Sequence, residues 1–301
     1  MIKLKSLQLP PPLQPGDLVR VIAPSGALRE SEVIEHSLEI WRSRGYQVLL
    51  DDFPAPWGYL AGDDFYRRQA LAQAWQDPEC RVLLCARGGY GSARLLEDWS
   101  LNNWQGVNPK WLVGFSDITG LLWSLAQAGI ASIHGPVLTT FAVEPQWSIE
   151  RLFDCVEGRP LKTLMGQGWG GGQAQGWLLP ANLTVATHCL GTSIVPSLEG
   201  AILALEDVQE APYRIDRLLT QWRLSGAFTG VRGMALGRFS RCEPAVGYPS
   251  WNVSEVLRDR LGDLNIPIVS ELPFGHDGAN AALRVGQKVM LDAEAGTLNF
   301  S

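Results

Sequence analysis

Four short apolar runs, spaced so that helices fit between them, constrain the first half of this chain more than any other feature. Asp17–Ala23 (DLVRVIA), Tyr46–Leu50, Arg81–Cys85 (RVLLC) and Trp111–Val113 read as buried strands. Between the first two, Val33, Ile34, Leu38 and Trp41 recur at helical spacing until Gly45 ends the segment, and Asp63–Trp75 reads as a second helix. Strands alternating with helices imply an α/β fold whose parallel sheet is covered on both faces. The first βα turn, Ala23-Pro24-Ser25-Gly26, is too poor in glycine to be a dinucleotide fingerprint, so no Rossmann cofactor site is read there.

The fourth strand runs through Gly114-Phe115-Ser116-Asp117 into an apolar stripe at helical spacing, Ile118, Leu121, Leu122 and Leu125. That is the strand, sharp turn and helix of a nucleophile elbow, with Ser116 at the sheet's carboxyl edge and the Asp117 N–H free to meet an oxyanion. The pattern is imperfect: Ile118 stands where G-x-S-x-G has its second glycine. Taken alone, the stretch reads first as Ser116 or Asp117 serving as a helix cap. The third strand leads into Ala86-Arg87-Gly88-Gly89-Tyr90-Gly91-Ser92 at the same edge. Without a following Lys-Ser or Lys-Thr this is no P-loop, and a second oxyanion donor from Gly88 or Gly89 suits it better.

At 301 residues, 46% hydrophobic, the chain has room for two domains. Its formal charge of −6 and its scattered Lys and Arg offer no surface for nucleic acid or an anionic membrane. No window reaches the roughly eighteen apolar residues of a spanning helix, and the proline-rich lead, Met1–Pro15, lacks the apolar core of a signal peptide. A cytoplasmic protein is expected. Cys80, Cys85, Cys155, Cys189 and Cys242 are widely spaced and include no C-x-x-C, which argues against a disulfide framework and a thiolate zinc site. Leu164–Gly176, dense in glycine, reads as a linker. The expected division is therefore an α/β domain over 1–163, a linker over 164–180 and a smaller β-rich domain over 181–301, the last with short apolar runs from Gly200, Met234, Ile266 and Lys288.

A serine nucleophile needs a base, usually a histidine oriented by a carboxylate. Of four histidines, His36 lies on an amphipathic helix and His188 inside a helical segment, Leu183–Leu190. His134, in His134-Gly135-Pro136, ends an apolar run near the sheet edge and is the second choice. His276 is the first, because Gly275-His276-Asp277-Gly278 reads as an exposed functional loop. For the carboxylate, Ala204-Leu205-Glu206-Asp207 ends a strand with two acids; Glu206 is preferred, although spacing alone does not separate it from Asp207. Four isolated histidines form no zinc cluster, and neither metal nor cofactor is expected.

In order along the chain, Arg87-Gly88-Gly89-Tyr90-Gly91, Gly114-Phe115-Ser116-Asp117, His134-Gly135-Pro136, Leu205-Glu206-Asp207 and Gly275-His276 resemble the pattern of the LD-carboxypeptidase family of serine peptidases. That family includes muramoyltetrapeptide carboxypeptidases of murein recycling and self-immunity peptidases that inactivate microcin-type peptide nucleotides. The resemblance implies an N-terminal α/β domain with the nucleophile, a C-terminal domain around a small β-barrel, and a triad of Ser116, Glu206 and His276. The oxyanion hole is expected at the N–H groups of Asp117, Gly88 and Gly89, and substrate contacts at Arg87, Tyr90, His134 and Asn182. Tyr213-Arg214-Ile215-Asp216-Arg217 also looks like the family's helix start. Pro180-Ala181-Asn182-Leu183-Thr184 departs from it, since members often carry glycines before the Asn-Leu pair. The implied reaction is loss of a C-terminal D-amino acid, D-alanine from the murein tetrapeptide. Peptidyl nucleotides are the rival substrates, and a non-catalytic muropeptide-binding protein is the rival from another class. The partner is a small peptide, and a homodimer is the assembly the resemblance allows.

Overall fold

The apolar run at Leu18–Ile22 forms a strand with a parallel neighbour on each side in the computed structural model of the protein, which describes residues 7–28, 31–51, 53–247 and 249–301. The first six residues of the proline-rich lead lie outside the described residues. The first half alternates as expected: β1 (Leu18–Ile22), α1 (Ser31–Ser43), β2 (Gln47–Leu50), α2 (Asp64–Gln76), β3 (Cys80–Cys85), α3 (Ser92–Leu95), β4 (Trp111–Gly114), α4 (Thr119–Gln127), β5 (Ile133–His134), α5 (Leu138–Phe141) and α6 (Gln146–Val156). The strands β5, β4, β3, β1 and β2 lie side by side in that order, all parallel. Alternate residues serve opposite faces, as a strand's period of two requires. Val82, Leu84, Trp111 and Val113 pack on Leu38 and Trp41 of α1 and Phe153 of α6. Leu83, Cys85 and Leu112 pack on Leu71 and Trp75 of α2 and Leu121 of α4.

The chain leaves β1 for β2 on one side and returns to β3 on the other, so the direction of winding reverses between β1 and β3. Loops after such a pair part at their carboxyl ends and leave a crevice for ligands. The turn at 23–27 and the glycine loop at 86–91 flank this crevice, with the end of β4 beside them.

The second half comprises β6 (Leu164–Met165), β7 (Gln167–Trp169), β8 (Gln173–Asn182), α7 (Leu183–Cys189), β9 (Ala201–Val208), α8 (Pro212–Leu224), β10 (Gly233–Ser240), α9 (Val253–Leu261), β11 (Ile268–Ser270), β12 (Leu283–Arg284), β13 (Lys288–Asp292) and β14 (Thr297–Phe300). Its sheet runs β6-β14-β13-β8-β9-β10-β11-β7. The first and last strands of this order are separated in the chain by Gly166 alone, so the sheet curls into a closed barrel. Ile202, Ala204, Ala235, Val269 and Leu291 fill its interior. The four strands β8 to β11 are parallel and joined through α7, α8 and α9, so this half is built of βαβ units rather than being simply β-rich.

Two sequence expectations are corrected here. Residues 164–180 are not a linker: β6, β7 and most of β8 lie within them, and β8 crosses the expected boundary at 180. Their glycines mark close backbone approach, because a Cβ on Gly168 would lie 1.8 Å from the Ala293 carbonyl oxygen and one on Gly166 would lie 2.3 Å from that of Ser270. The division into independent halves is also crossed, since β12, from the far end of the chain, adds antiparallel to β5 of the first sheet. All five cysteines are free and buried, and no helix among the described residues is long and apolar enough to cross a membrane.

Candidate active site

β4 ends at Gly114, Phe115 stays extended, and Ser116 turns to φ 62°, the left-handed region that a residue with a Cβ seldom enters. A single 3₁₀ turn, Ser116–Ile118, then feeds α4. The apparent flaw in the motif has a packing reason. A Cβ on Gly114 would meet the Ile118 side chain at 2.9 Å, so Ile118 occupies the room the first glycine leaves. No side chain caps the 3₁₀ turn or α4, which removes the capping reading of Ser116 and Asp117. The Asp117 carboxylate instead accepts from Ser25 Oγ at 2.6 Å and from the Ser92 N–H at 2.8 Å, while Ser92 Oγ donates to the Asp117 carbonyl at 2.5 Å. One buried aspartate thus ties together the chain segments that follow β1, β3 and β4.

The glycine loop packs directly on this turn. A Cβ at Gly88 would sit 3.0 Å from Ser116 Cβ and 3.2 Å from its Oγ, so only glycine lets the backbone pass so near. Gly26 N–H donates to the Gly88 carbonyl at 3.2 Å. Arg87 reaches across the crevice, its Nη1 donating to the Ala27 carbonyl at 2.8 Å, so its guanidinium braces the turn after β1. Tyr90 is 52% exposed, and its ring meets that of exposed Tyr59 edge-on, centroids 5.7 Å apart.

From the barrel side, β9 delivers Glu206 and the loop after β11 delivers His276. His276 Nδ1 lies 2.7 Å from Glu206 Oε2, and its Nε2 lies 3.2 Å from Ser116 Oγ. An ionised carboxylate only accepts, so the ring proton belongs on Nδ1 and Nε2 faces the serine as an acceptor. Glu206 is fully buried and the His276 side chain is 17% exposed, its ring resting on that of Phe115 with centroids 4.7 Å apart. Gly275, at φ 107°, is needed for this approach: a Cβ there would lie 3.0 Å from Glu206 Cβ.

Asn182 and His134, expected at the substrate, lie beneath the site. Asn182 is 4% exposed; its Oδ1 caps α7 at Val185 N–H, and its Nδ2 donates to Glu206 Oε1 at 3.2 Å and Asp207 Oδ1 at 3.0 Å. His134 is fully buried between Phe115 and Phe274, with neither ring nitrogen hydrogen-bonded to the protein. Burial pushes its pKa down to about 4, so the ring is neutral at pH 7. Asp207 takes the Thr184 N–H and Oγ1 and the Val208 N–H; burial, reinforced by the Glu206 charge, pushes its carboxyl up to about 6. The roles of Ser25 and Ser92 went unread in the sequence, although their places in the turns after β1 and β3, at the ligand edge of the sheet, were a usable signal.

The chain matches the LD-carboxypeptidase N-terminal domain over residues 19–135 and the LD-carboxypeptidase C-terminal domain over residues 175–291. It is 57% identical to a Synechocystis sp. protein named "Putative carboxypeptidase slr1534", over 98% of each chain. With the murein tetrapeptide carboxypeptidase of Pseudomonas aeruginosa it shares 30% identity, over 91% of this chain and 92% of that one. The crystal structure of muramoyltetrapeptide carboxypeptidase from Oxalobacter formigenes superposes with a TM-score of 0.84 at 27% identity, covering 93% of this chain and 97% of the other. An α/β half, a barrel half and both family domains in one chain lead to one conclusion: this protein belongs to the LD-carboxypeptidase family.

Proposed function

We propose that the protein is a serine carboxypeptidase that hydrolyses the bond before a C-terminal D-amino acid and releases D-alanine from the murein tetrapeptide, in the cytoplasm, as a step of peptidoglycan recycling. The observation that carries this reading is the unbroken line of hydrogen bonds from Glu206 through His276 to Ser116. His276 Nε2 takes the Ser116 proton as Oγ attacks the carbonyl carbon of the scissile bond. The N–H groups of Asp117 and of Gly88 or Gly89 meet the oxygen that becomes negative. Collapse of the tetrahedral intermediate breaks the C–N bond, His276 returns the proton to the departing amine, and the acyl group stays on Ser116. Water, deprotonated by His276, then attacks the acyl carbonyl, the bond to Ser116 Oγ breaks, and His276 returns the proton to that oxygen as the shortened peptide leaves. Glu206 holds the imidazole in the required tautomer and stabilises it when it is cationic.

The test is to incubate the protein with murein tetrapeptide and assay free D-alanine, in parallel with a peptidyl-sulfamoyl nucleotide assayed for nucleotide release. D-Alanine release that depends on Ser116 supports the proposal. Nucleotide release alone makes the protein an immunity-type peptidase, and saturable muropeptide binding without release of either makes it a binding protein.

A further inference from the structure

The loop that carries His276 is closed by two bonds of its own, Gly275 N–H to Asn280 Oδ1 at 3.0 Å and Ala281 N–H to the Pro273 carbonyl at 2.9 Å. Gly275, Asp277 and Gly278 all stand at positive φ, 107°, 53° and 145°. A further set of ties, those nearest the imidazole, comes from β10. The pairing of β10 with β9 slips register between Leu236 and Phe239, a local irregularity of the kind that re-aims a side chain beside a functional site. Arg238 lies within that slip. Its Nε donates to the His276 carbonyl at 2.9 Å, and its Nη2 donates to the carbonyls of Gly275, at 3.3 Å, and Ala279. Ser240 Oγ adds a second donor to the His276 carbonyl at 2.7 Å. The neighbouring carboxylates are engaged elsewhere: Asp277 with Arg241, Glu206 with His276, and Glu144 with the Asn280 N–H. The guanidinium therefore spends its directed donors on backbone carbonyls of one loop, a task that its rigid, planar fork suits and a lysine ammonium fills only in part.

We propose that Arg238 is a positioning residue for the reaction: by gathering the carbonyls of Gly275, His276 and Ala279, it sets the height and tilt of the His276 ring between Glu206 and Ser116. The inference rests on the proposed role of His276 as base. The bonds that the Arg238 side chain makes go to loop carbonyls rather than to Ser116 or the His276 ring, so its removal is expected to act on catalysis through the imidazole and to leave substrate binding nearly intact. A misplacement of about 1 Å at a reacting group costs on the order of a hundredfold in rate.

The test compares Arg238→Ala, Arg238→Lys and Arg241→Gln, the last breaking an exposed ion pair in the same loop. With murein tetrapeptide, Arg238→Ala is expected to lose about ten- to a hundredfold in kcat with KM nearly unchanged, Arg238→Lys to recover part of the loss, and Arg241→Gln to match the unmodified protein. Thermal melting establishes that each variant is folded, and if Arg238→Ala is not, Arg238→Lys carries the comparison. Crystal structures of the variants give a readout independent of substrate: the separation of His276 Nε2 and Ser116 Oγ should exceed hydrogen-bond range in Arg238→Ala. An unchanged kcat and separation, an effect confined to KM, or an equal loss in Arg241→Gln overturns the proposal. If Ser116→Ala and His276→Ala keep full activity, the triad reading fails instead; if they lose it while the Arg238 variants do not, only the positioning role fails.

Discussion

Glu206 and Asp207 are neighbours in sequence and face opposite sides of β9. Glu206 follows Ile202 and Ala204, which point into the barrel, and its Oε2 meets His276 Nδ1. Asp207 follows Leu203 and Leu205, which point to the surrounding helices, and its Oδ2 accepts from Thr184 at the start of α7. The period of two in a strand assigns one acid to the imidazole and the other to a helix start.

That division predicts unequal losses. Glu206→Gln should lower kcat by about a thousandfold, because the amide cannot impose the required tautomer on His276. Asp207→Asn should stay within about tenfold, its effect passing only through the shared Asn182 amide. D-Alanine release under saturating tetrapeptide measures both. An equal loss in the two variants would mean that both carboxylates serve the imidazole.

The left-handed backbone of Ser116 gives a second prediction. Ser116→Ala and Ser116→Gly should both lose on the order of a thousandfold or more in activity. They should differ in stability, with the glycine variant more stable by about 1 kcal/mol in urea unfolding, since only glycine enters φ 62° without steric cost. Equal stability would show that the turn stores no strain.

His134 sets a pH dependence. Its folded pKa, about 4, lies below the ordinary value of 6.5, so below pH 6.5 the unfolded chain takes up a proton that the folded one refuses. Unfolding free energy contributed by this residue is complete above pH 6.5 and is lost as pH falls toward 4. Between pH 7 and pH 5 the loss is about 2 kcal/mol. His134→Leu should abolish that part of the slope. Denaturant unfolding of both proteins at the two pH values tests it, and parallel slopes would reject a buried neutral ring. Asp207 works in the opposite sense: its folded pKa, about 6, is raised, so its stabilising contribution is complete below pH 4 and lost as pH rises through 6.

Recognition of a free terminal carboxylate predicts that a tetrapeptide amidated at its C-terminus is cleaved about ten- to a hundredfold more slowly than the free acid, the loss of one charge-assisted contact. Arg87 spends Nη1 on the Ala27 carbonyl, so Arg87→Ala should lower activity on both peptides and leave their ratio unchanged. A ratio that collapses in Arg87→Ala would make its guanidinium the clamp, and equal rates for the two peptides in the unmodified protein would reject a carboxypeptidase.

The first sheet was legible because strands such as β3 and β4 are buried on both faces and read as unbroken apolar runs, with Gly45 and Asp63 marking helix ends by their chemistry. Glycine was misleading at Gly166 and Gly168, where composition suggests flexibility and the requirement is close packing against distant carbonyls. Ser116, Glu206 and His276 could be singled out from strand ends, a glycine-flanked loop and the ordered resemblance. Choosing Glu206 over Asp207 on spacing was impossible, because the alternation of β9 has meaning only once the barrel interior is known. His134 sits at a strand end where a ligand residue is expected; the rings of Phe115 and Phe274 and the pairing of β5 with β12 enclose it, and the partners Phe274 and Leu283 lie far along the chain with no local mark.

The addition of β12 to β5 governs how this chain can be divided. A fragment ending after α6 keeps the serine but lacks the strand that covers β5, so the backbone groups at Ile133 and His134 that pair with Arg284 and Leu283 become an open edge. The complementary fragment carries His276 on a loop whose far end has no sheet to join. Two separately expressed halves should therefore each be prone to self-association and regain a working site only on mixing, when the second fragment donates β12 as the missing strand of the first and, in the same act, brings the imidazole to the serine.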